Sequence, residues 1–281
     1  MKILLPLLFL FFSIHSFSQD TFSIVAVDSL TGEVGGAGAS CIDDVGCGGC
    51  GGVIIINDLH PGIGAIHTQA YYISSNQNYG RTLMNSGLSP SQMIDSLVAN
   101  DMQNNPDIRQ YGIVDLYNNS PRSAAFTGAN CMDYKNHITG KNYSIQGNIL
   151  LGQQILDSME ARFLEAEGDL ACKLMAALQG AKVVGADTRC TNSGNSSLSS
   201  FLRVAKPNDV APVYYLSLNV KSGPTGFEPI DSLQTLFNAA HSCTVVSLNE
   251  NKNGMPGNIF PNPSDGKFSF QNIKINIMEI Q

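Results

Sequence analysis

Basic residues are scarce in this sequence, and they form no cluster. The 281 residues include 16 Lys and Arg against 23 Asp and Glu, so the formal net charge is −7 at pH 7. Nucleic acids and anionic membrane surfaces attract proteins through clustered basic residues. The composition therefore argues against both as partners. It leaves a small-molecule or peptide substrate, or a second copy of the chain in a homo-oligomer.

Further absences limit the class of protein. After residue 14 the sequence has no apolar run long enough to span a membrane, and it has no internal repeat of solenoid length. Tryptophan is absent, and only 14% of the residues are charged, while glycine occupies 27 positions. This composition is typical of a folded, glycine-rich domain rather than a disordered chain. We expect no cofactor.

The first residues have the pattern of an export signal. Lys2 is followed by an apolar run over residues 3–14 and then by the small residues Ser16 and Ser18. A charged start, an apolar middle and a small-x-small end predict a signal peptide over residues 1–18. We therefore expect a protein that is secreted or held at the cell surface.

All seven cysteines follow this segment, at positions 41, 47, 50, 131, 172, 190 and 243. In an exported protein most should form disulfides, and the odd number leaves at least one over. Cys47 and Cys50 have the spacing of a zinc-binding pair, and Cys41 and His60 could complete four ligands, but no second Cys-x-x-Cys follows. We expect a loop disulfide there and no metal.

The order of elements along the chain indicates the fold class. Strands are predicted at residues 21–28, 34–40, 53–56, 63–69, 111–117, 123–127, 143–151, 198–205 and 213–220. Helices are predicted at residues 74–85, 93–100, 153–167, 169–181 and 229–241. Groups of strands that alternate with pairs of helices favour an α+β fold with antiparallel sheets over a parallel βαβ sheet.

The C-terminal part has a different composition. Residues 244–257 are polar and rich in Asn, and they predict a linker. Residues 258–281 contain a Pro-Asn-Pro turn, a Gly and an aromatic strand pattern. This segment resembles the opening of the C-terminal sorting domain of the bacterial type IX secretion system. It is shorter than such domains, so we expect a truncated sorting segment.

The preceding residues, 19–243, are similar to a known family. The matching motifs are Thr21-Phe-Ser-Ile-Val-Ala, Gly64-Ala-Ile-His-Thr-Gln-Ala, Gly112-Ile-Val-Asp, Thr127-Gly128 with Cys131, Gln146-Gly-Asn-Ile-Leu and Gly185-Ala-Asp-Thr-Arg. Residues 21–243 thereby resemble the bacterial family called domain of unknown function 1028, which is grouped with the N-terminal nucleophile (Ntn) hydrolases. The resemblance implies a four-layer αββα sandwich of antiparallel sheets, although the family has no assigned reaction.

Within that resemblance Thr21 is the candidate nucleophile. A neutral threonine hydroxyl needs a nearby base, and a free α-amine with a pKa of about 7.7–8.0 on the same residue would serve as one. The glycine-rich strand at residues 34–40 would let a substrate backbone approach closely. Alternatively, Thr21 only begins a β-strand, where threonine is common.

Gln146, Gly147 and Asn148 are the next candidates. They end a predicted strand, where a side-chain amide and backbone N–H groups could converge on an oxyanion. Gln146 and Asn148 would act in catalysis and Gly147 in substrate binding. The alternative is that this segment only forms a tight exit from the strand.

Two further pairs complete the predicted site. Thr68 and Gln69 are assigned to substrate binding, although alternation puts Gln69 and His67 on one face of a strand and Thr68 on the other. His67 is interpreted as a structural residue. Asp187 and Arg189, two positions apart, would share a strand face as a charge pair that orders the catalytic site. The alternative is a surface salt bridge that contributes little to stability.

The sequence thus supports two hypotheses. The first is a secreted hydrolase of amide bonds in which Thr21 is the N-terminal residue. The second is a non-catalytic secreted binding or surface module on the same scaffold. Cleavage after Ser18 would leave Gln19 and Asp20 ahead of Thr21 and would favour the second.

Overall fold

The fold is built on two antiparallel β-sheets. The computed structural model describes residues 21–224 and 226–243, which belong to a single structural unit. The strands are β1 (Thr21–Val27), β2 (Val34–Ser40), β3 (Asn57–His60), β4 (Gly64–Ala70), β5 (Arg109–Tyr117), β6 (Ser120–Thr127), β7 (Asn136–Thr139), β8 (Tyr143–Gly147), β9 (Ser199–Ala205) and β10 (Leu216–Val220). One sheet has the order β10-β9-β2-β1-β8-β7 and the other β3-β4-β5-β6. The strand pairs are antiparallel, as the sequence predicts.

Five α-helices are found in the same described residues. They are α1 (Ser74–Asn85), α2 (Pro90–Ala99), α3 (Gln153–Glu165), α4 (Leu170–Gly180) and α5 (Pro229–Ala240). Ser89 forms a capping box with Gln92, and Asp169 caps α4 through the N–H of Cys172. No helix in the described residues is long and apolar enough to cross a membrane. The predicted signal peptide, linker and sorting segment at residues 1–18, 244–257 and 258–281 lie outside the described residues.

One predicted strand is wrong, and two observed strands, β3 and β7, were not predicted. Residues 53–56 belong to a 3₁₀-helix, Gly52–Ile56, which follows Gly51 and Gly52 at φ 93° and 76°. These left-handed residues turn the chain out of a strand, and the apolar side chains pack on Phe201 instead. The short edge strand β7 has a polar sequence without alternation, which is why no pattern marks it.

Strand alternation distributes the side chains of β1 to its two faces. Phe22 and Ile24 pack with α3, α4 and α5, whereas Val25 packs with residues of β4 and β5. On β4, Ile66 packs with α1 and α2. The two sheets therefore face each other, and the helices cover their outer faces.

The glycines of β2 do not open space for a substrate. A Cβ added at Gly36 would lie 2.5 Å from Nε2 of His67, and one at Gly35 would lie 2.7 Å from Cδ1 of Leu174. Both spaces are filled by the protein's own side chains. The expectation that this strand admits a substrate backbone is wrong, because its small residues serve close packing between layers.

Six of the cysteines form three disulfides. These are Cys41–Cys190, Cys47–Cys50 and Cys172–Cys243. The expectation of a loop disulfide at Cys47 and Cys50 is confirmed. Cys131 is buried outside these three pairs.

The packing between the sheets predicts the effect of Gly112→Ala. A Cβ at this position of β5 would lie 1.9 Å from Oε1 of Gln146, which is fully buried between the sheets. We expect the overpacking to lower the free energy of unfolding by about 1–3 kcal/mol, measured by urea denaturation. Gly46→Ala is the matched control, because its Cβ would meet Asp43 Oδ1 at 3.2 Å in an exposed loop. Equal stabilities of the two variants would contradict the packing argument.

Candidate functional site

Thr21 is held by groups from both sheets. Its backbone N–H donates to Oδ1 of Asn148 at 3.2 Å. Its carbonyl accepts from the N–H of Asn148 at 3.1 Å and from Nε2 of Gln69 at 3.1 Å. Asn148 follows β8 of the six-stranded sheet, and Gln69 lies on β4 of the other sheet. The nitrogen of Thr21, which would be the α-amine of a chain that starts there, thus has an acceptor in place.

Two unusual backbone conformations flank these contacts. Ala70 and Ile149 have φ of 66° and 54°, and they directly follow Gln69 and Asn148. The left-handed conformation costs a non-glycine residue about 1–2 kcal/mol, and it is rarest for β-branched residues such as Ile149. Such strain collects at functional sites, where the surrounding structure maintains it. Both outliers lie next to side chains that bind Thr21.

Asp187 and Arg189 form a charge pair at the adjoining end of β2. Arg189 donates from Nε to Oδ1 of Asp187 at 2.9 Å and from Nη2 to Oδ2 at 2.6 Å. Oδ2 also accepts from the N–H of Cys41 at 2.8 Å. Nη2 of Arg189 lies 3.5 Å from Oγ of Ser40, which is the register partner of Thr21. The pair therefore adjoins Thr21 through Ser40.

The local structure of this pair differs from the expectation. Asp187 precedes the 3₁₀-helix Thr188–Ser193 and caps it, so the two residues do not share a strand face. The Asp187 carboxylate is buried, and the Arg189 side chain is 29% exposed. A bidentate pair with one buried carboxylate is more than a surface salt bridge, because its carboxylate has lost water and depends on its donors. The disulfide Cys41–Cys190 ties the same two segments together.

Behind Thr21, a polar network fills the space between the sheets. Oγ of Ser23 donates to Oε1 of Gln69 at 2.6 Å and accepts from Nε2 of Gln146 at 2.6 Å. Nδ1 of His67 lies 2.9 Å from the same hydroxyl. All four residues are buried. Gln69 therefore links this network to the carbonyl of Thr21.

The network continues toward β3 and β5. Nε2 of His67 lies 2.8 Å from Nδ2 of Asn57, and Nε2 of Gln69 donates to Oε1 of Gln110 at 2.8 Å. Gln110 in turn donates to the carbonyl of Gly147 at 2.9 Å. These bonds connect three strands of one sheet to β1 and β8 of the other.

Ser23 and His67 resemble a nucleophile and base, but their environment excludes that role. Neither side chain is exposed, so no substrate reaches the hydroxyl. Both ring nitrogens of His67 contact a neighbour, and burial lowers its pKa to about 3. The imidazole is neutral in neutral solution and acts as a structural link between the sheets.

Of the predicted site residues, the structure brings Thr21, Gln69 and Asn148 into direct contact, with Asp187 and Arg189 beside them. Gly147 is the register partner of Phe22, one residue from Thr21. These positions come from both sheets and from the segment before β9, so only the tertiary structure gathers them.

Two predicted residues do not reach Thr21. The amide of Gln146 is used inside the network, where Nε2 binds Ser23 and Oε1 accepts from Ser144 at 2.8 Å. Thr68 is paired with Tyr111 on the face of β4 that α1 and α2 cover. Its Oγ1 is buried and has no hydrogen-bond partner among the described residues.

Two residues at the site were missed. Ser40 could have been found from the sequence, because a hairpin of residues 21–28 and 34–40 pairs Ser40, the last residue of the second strand, with Thr21. Gln110 had none, since it joins the network only through contacts with distant strands.

One group of side chains has the spacing of metal ligands in the described residues. Ligand atoms of Cys172, His241 and Cys243 lie within 4.8 Å of one another. The two cysteines are joined in a disulfide, so they offer no thiolate to a metal in this state.

The buried His67 predicts how stability depends on pH. Its pKa falls from 6.5 in the unfolded chain to about 3 in the fold, so the unfolded chain binds the extra proton. The contribution of His67 to the free energy of unfolding should be fully present above pH 6.5. It should decrease by about 1.4 kcal/mol per pH unit as the pH falls from 6.5 toward 3. Urea denaturation at several pH values measures this slope. His67→Gln should be less stable at pH 7 but should lose this part of the slope, and an unchanged slope would contradict the assignment.

The comparisons with known proteins agree with this architecture. Residues 21–229 match the family described as "Family of unknown function (DUF1028)". The crystal structure of protein SPO2555 from Silicibacter pomeroyi, described with the DUF1028 family model, is similar at a TM-score of 0.62. That match has 24% identity and covers 79% of this chain and 90% of that one, so it bears on the fold alone. No curated protein is significantly similar. The family match spans most of the chain, and the protein belongs to the DUF1028 family.

Proposed function

We propose that this protein is a hydrolase of amide bonds in which Thr21, as the N-terminal residue of the processed chain, is the nucleophile. The observation that carries the proposal is the hydrogen bond from the nitrogen of Thr21 to Oδ1 of Asn148, 3.2 Å long. In a chain that begins at Thr21, this bond would orient the α-amine beside its own hydroxyl. The substrate is a small molecule or a peptide.

The packing of the sheets supports the finer fold assignment within this proposal. The two sheets face each other through the network of Ser23, His67, Gln69 and Gln146, and the helices cover the outer faces. This order of layers is that of the αββα sandwich of Ntn hydrolases. Thr21 would then lie at the start of a central strand, β1, between β2 and β8.

The proposed reaction has two steps. Oγ of Thr21 attacks the amide carbon while its proton passes to the α-amine, which then protonates the leaving nitrogen as the C–N bond breaks. The acyl group remains as an ester on Oγ. Water adds to this ester and gives a proton to the same amine, which returns it to Oγ as the C–Oγ bond breaks, so that the acid leaves and the free hydroxyl and amine are restored. Asn148 acts as a positioning residue, because its Oδ1 accepts from the amine.

The charge pair would complete the site. Arg189 is 29% exposed and adjoins Ser40, so it places a positive charge near the reacting hydroxyl, where it suits a carbonyl oxygen that gains negative charge. Asp187 fixes this guanidinium with two hydrogen bonds. Gln146 and Gly147 are assigned a supporting role behind Thr21, since the Gln146 amide is used by Ser23.

Export of the protein is part of the same proposal. Three disulfides are typical of proteins that fold in an oxidising compartment. The signal peptide at residues 1–18 would deliver the chain there. Sorting by the type IX system depends on residues 258–281 and remains a separate hypothesis.

One observation favours the alternative of a non-catalytic binding or surface module. Thr21 is fully buried, and its nitrogen is an amide rather than an amine in a chain in which residues precede it. If Gln19 and Asp20 stay on the exported chain, the site has no base of the proposed kind. N-terminal sequencing of the exported protein separates the two: a chain that starts at Thr21 supports the hydrolase, and one that starts at Gln19 or Asp20 supports the module.

The nucleophile is tested with a chain made to start at Thr21. We expect a β-lactone reagent to acylate Oγ of Thr21, which adds the full mass of the reagent, and the chain to release p-nitroaniline from at least one member of a panel of acyl p-nitroanilides. Thr21→Ser should retain both activities, and Thr21→Ala should lose them by a factor on the order of 10³ or more. Mass spectrometry and absorbance measure the two.

The matched control is the chain that starts at Gln19, which keeps the hydroxyl and lacks the amine at Thr21. It should react no faster than Thr21→Ala. Labelling of another residue, or equal rates in Thr21→Ala and the parent chain, would show that Thr21 is not the nucleophile. Circular dichroism checks that all chains are folded.

A further inference from the structure

A cavity lies at the end of β4 away from Thr21. It is a cavity of about 450 Å³ bounded by β3, the β3–β4 turn, α1 and the segment between β9 and β10. His60 at its edge is the register partner of Gly64, whereas Gln69 at the Thr21 site lies five residues further along the strand. At about 3.3 Å per residue, the two sites are roughly 17 Å apart along β4.

An ion-paired network lines the floor of this cavity. Arg81 donates from Nε and Nη2 to the two oxygens of Asp58, each at 3.0 Å. Nε2 of His60 lies 3.2 Å from Oδ2 of Asp58, and Nδ1 lies 3.0 Å from Oδ1 of Asn85. Burial raises the pKa of Asp58, but the hydrogen bonds from His60 and Arg81 outweigh it and keep the pKa below its usual range. Asp58 is therefore ionised and holds Arg81 in place.

This arrangement suits binding rather than proton transfer. Both ring nitrogens of His60 are engaged, so the imidazole offers no nitrogen to a ligand. Arg81 is different, because Nη1 has no acceptor among the described residues and its side chain is half exposed at the cavity. The two N–H groups of Nη1 can thus donate to a ligand while Nε and Nη2 stay on Asp58.

The charge of the surroundings favours an anion. Arg203 lies over the ring of Tyr214, a lining residue, at 5.7 Å from the centroid. The positive charges of Arg81 and Arg203 therefore exceed the single negative charge of Asp58 by one. A carboxylate bound at Nη1 of Arg81 would neutralise this excess charge.

The remaining walls are apolar. Pro61, Ile63, Pro212 and Tyr214 face the cavity, and Ile63 is 43% exposed at its rim. Exposed apolar walls beside a fixed cationic donor are the usual composition of a small-molecule site. They would pack against a compact apolar or aromatic group.

We propose that this cavity binds a small organic carboxylate, with the carboxylate on Nη1 of Arg81 and its apolar group against Tyr214 and the two prolines. The site is independent of the chemistry at Thr21. It needs neither processing of the N-terminus nor hydrolytic activity, so its test does not depend on the proposed function.

The probe is benzoate, with benzamide as the neutral molecule of the same shape. Titration is followed in ¹H–¹⁵N correlation spectra of the full domain. We expect benzoate to shift resonances of the cavity lining and not those near Thr21, and benzamide to bind at least about tenfold more weakly. Arg81→Gln should weaken benzoate binding by a similar factor.

Arg122→Gln is the matched control, because Arg122 makes the same two-point contact with Asp115 across β5 and β6 and is not among the residues that line this cavity. It should leave benzoate affinity unchanged. If Arg81→Gln does not fold, Ile63→Trp tests the proposal by closing the rim, and it should abolish binding. Equal affinity for benzoate and benzamide, no shifts at the cavity up to tens of millimolar benzoate, or unchanged affinity in Arg81→Gln or in folded Ile63→Trp would overturn the proposal.

Discussion

The hydrogen-bond network around Ser23 determines how the two sheets face each other. A buried polar group that loses its partner costs about 1–3 kcal/mol, so a network of this kind allows few alternative arrangements. Ser23, His67, Gln69 and Gln146 each make two or more contacts, and they come from β1, β4 and β8. Sliding one sheet by a residue would leave several of these groups unpaired. Apolar contacts alone, being non-directional, would tolerate such a shift more easily.

The position of Thr21 is a consequence of that constraint. Gln69 takes part in the network and also binds the carbonyl of Thr21, so the register of the sheets places the first residue of β1. Asn148 then holds the nitrogen from the other side. The same rigid frame maintains Ala70 and Ile149 in left-handed conformations that an isolated chain would avoid.

The glycines belong to this argument as well. Gly36 and Gly112 leave the space into which His67 and Gln146 project, and a methyl group at either place would occupy it. From the sequence, the glycine-rich strand suggested room for a substrate. In the structure this space exists, but the protein's own polar side chains fill it. Whether a substrate or the protein itself fills such space depends on the residues opposite the strand, and the sequence of one strand does not contain that information.

Local patterns predicted most elements correctly. The capping box at Ser89, the cap at Asp169 and the alternation in β1 are properties of neighbouring residues, and neighbouring residues dominate such signals. Residues 53–56 were mistaken for a strand because a short apolar run does not distinguish a strand from a buried turn of helix. The site was predicted in part: Thr21, Gln69 and Asn148 meet, whereas Thr68 and the amide of Gln146 point elsewhere.

The sequence by itself determined the α+β class, the loop disulfide and the family. These follow from periodicity, turn residues and motifs that lie within short stretches of chain. Only the tertiary structure decided that His67 is a neutral link, that Asp187 caps a 3₁₀-helix beside Ser40, and that Arg81 lines a cavity away from Thr21. The physical reason is the same in each case. Burial, charge and hydrogen bonding of a side chain depend on partners far away in the chain, and folding alone brings them within reach.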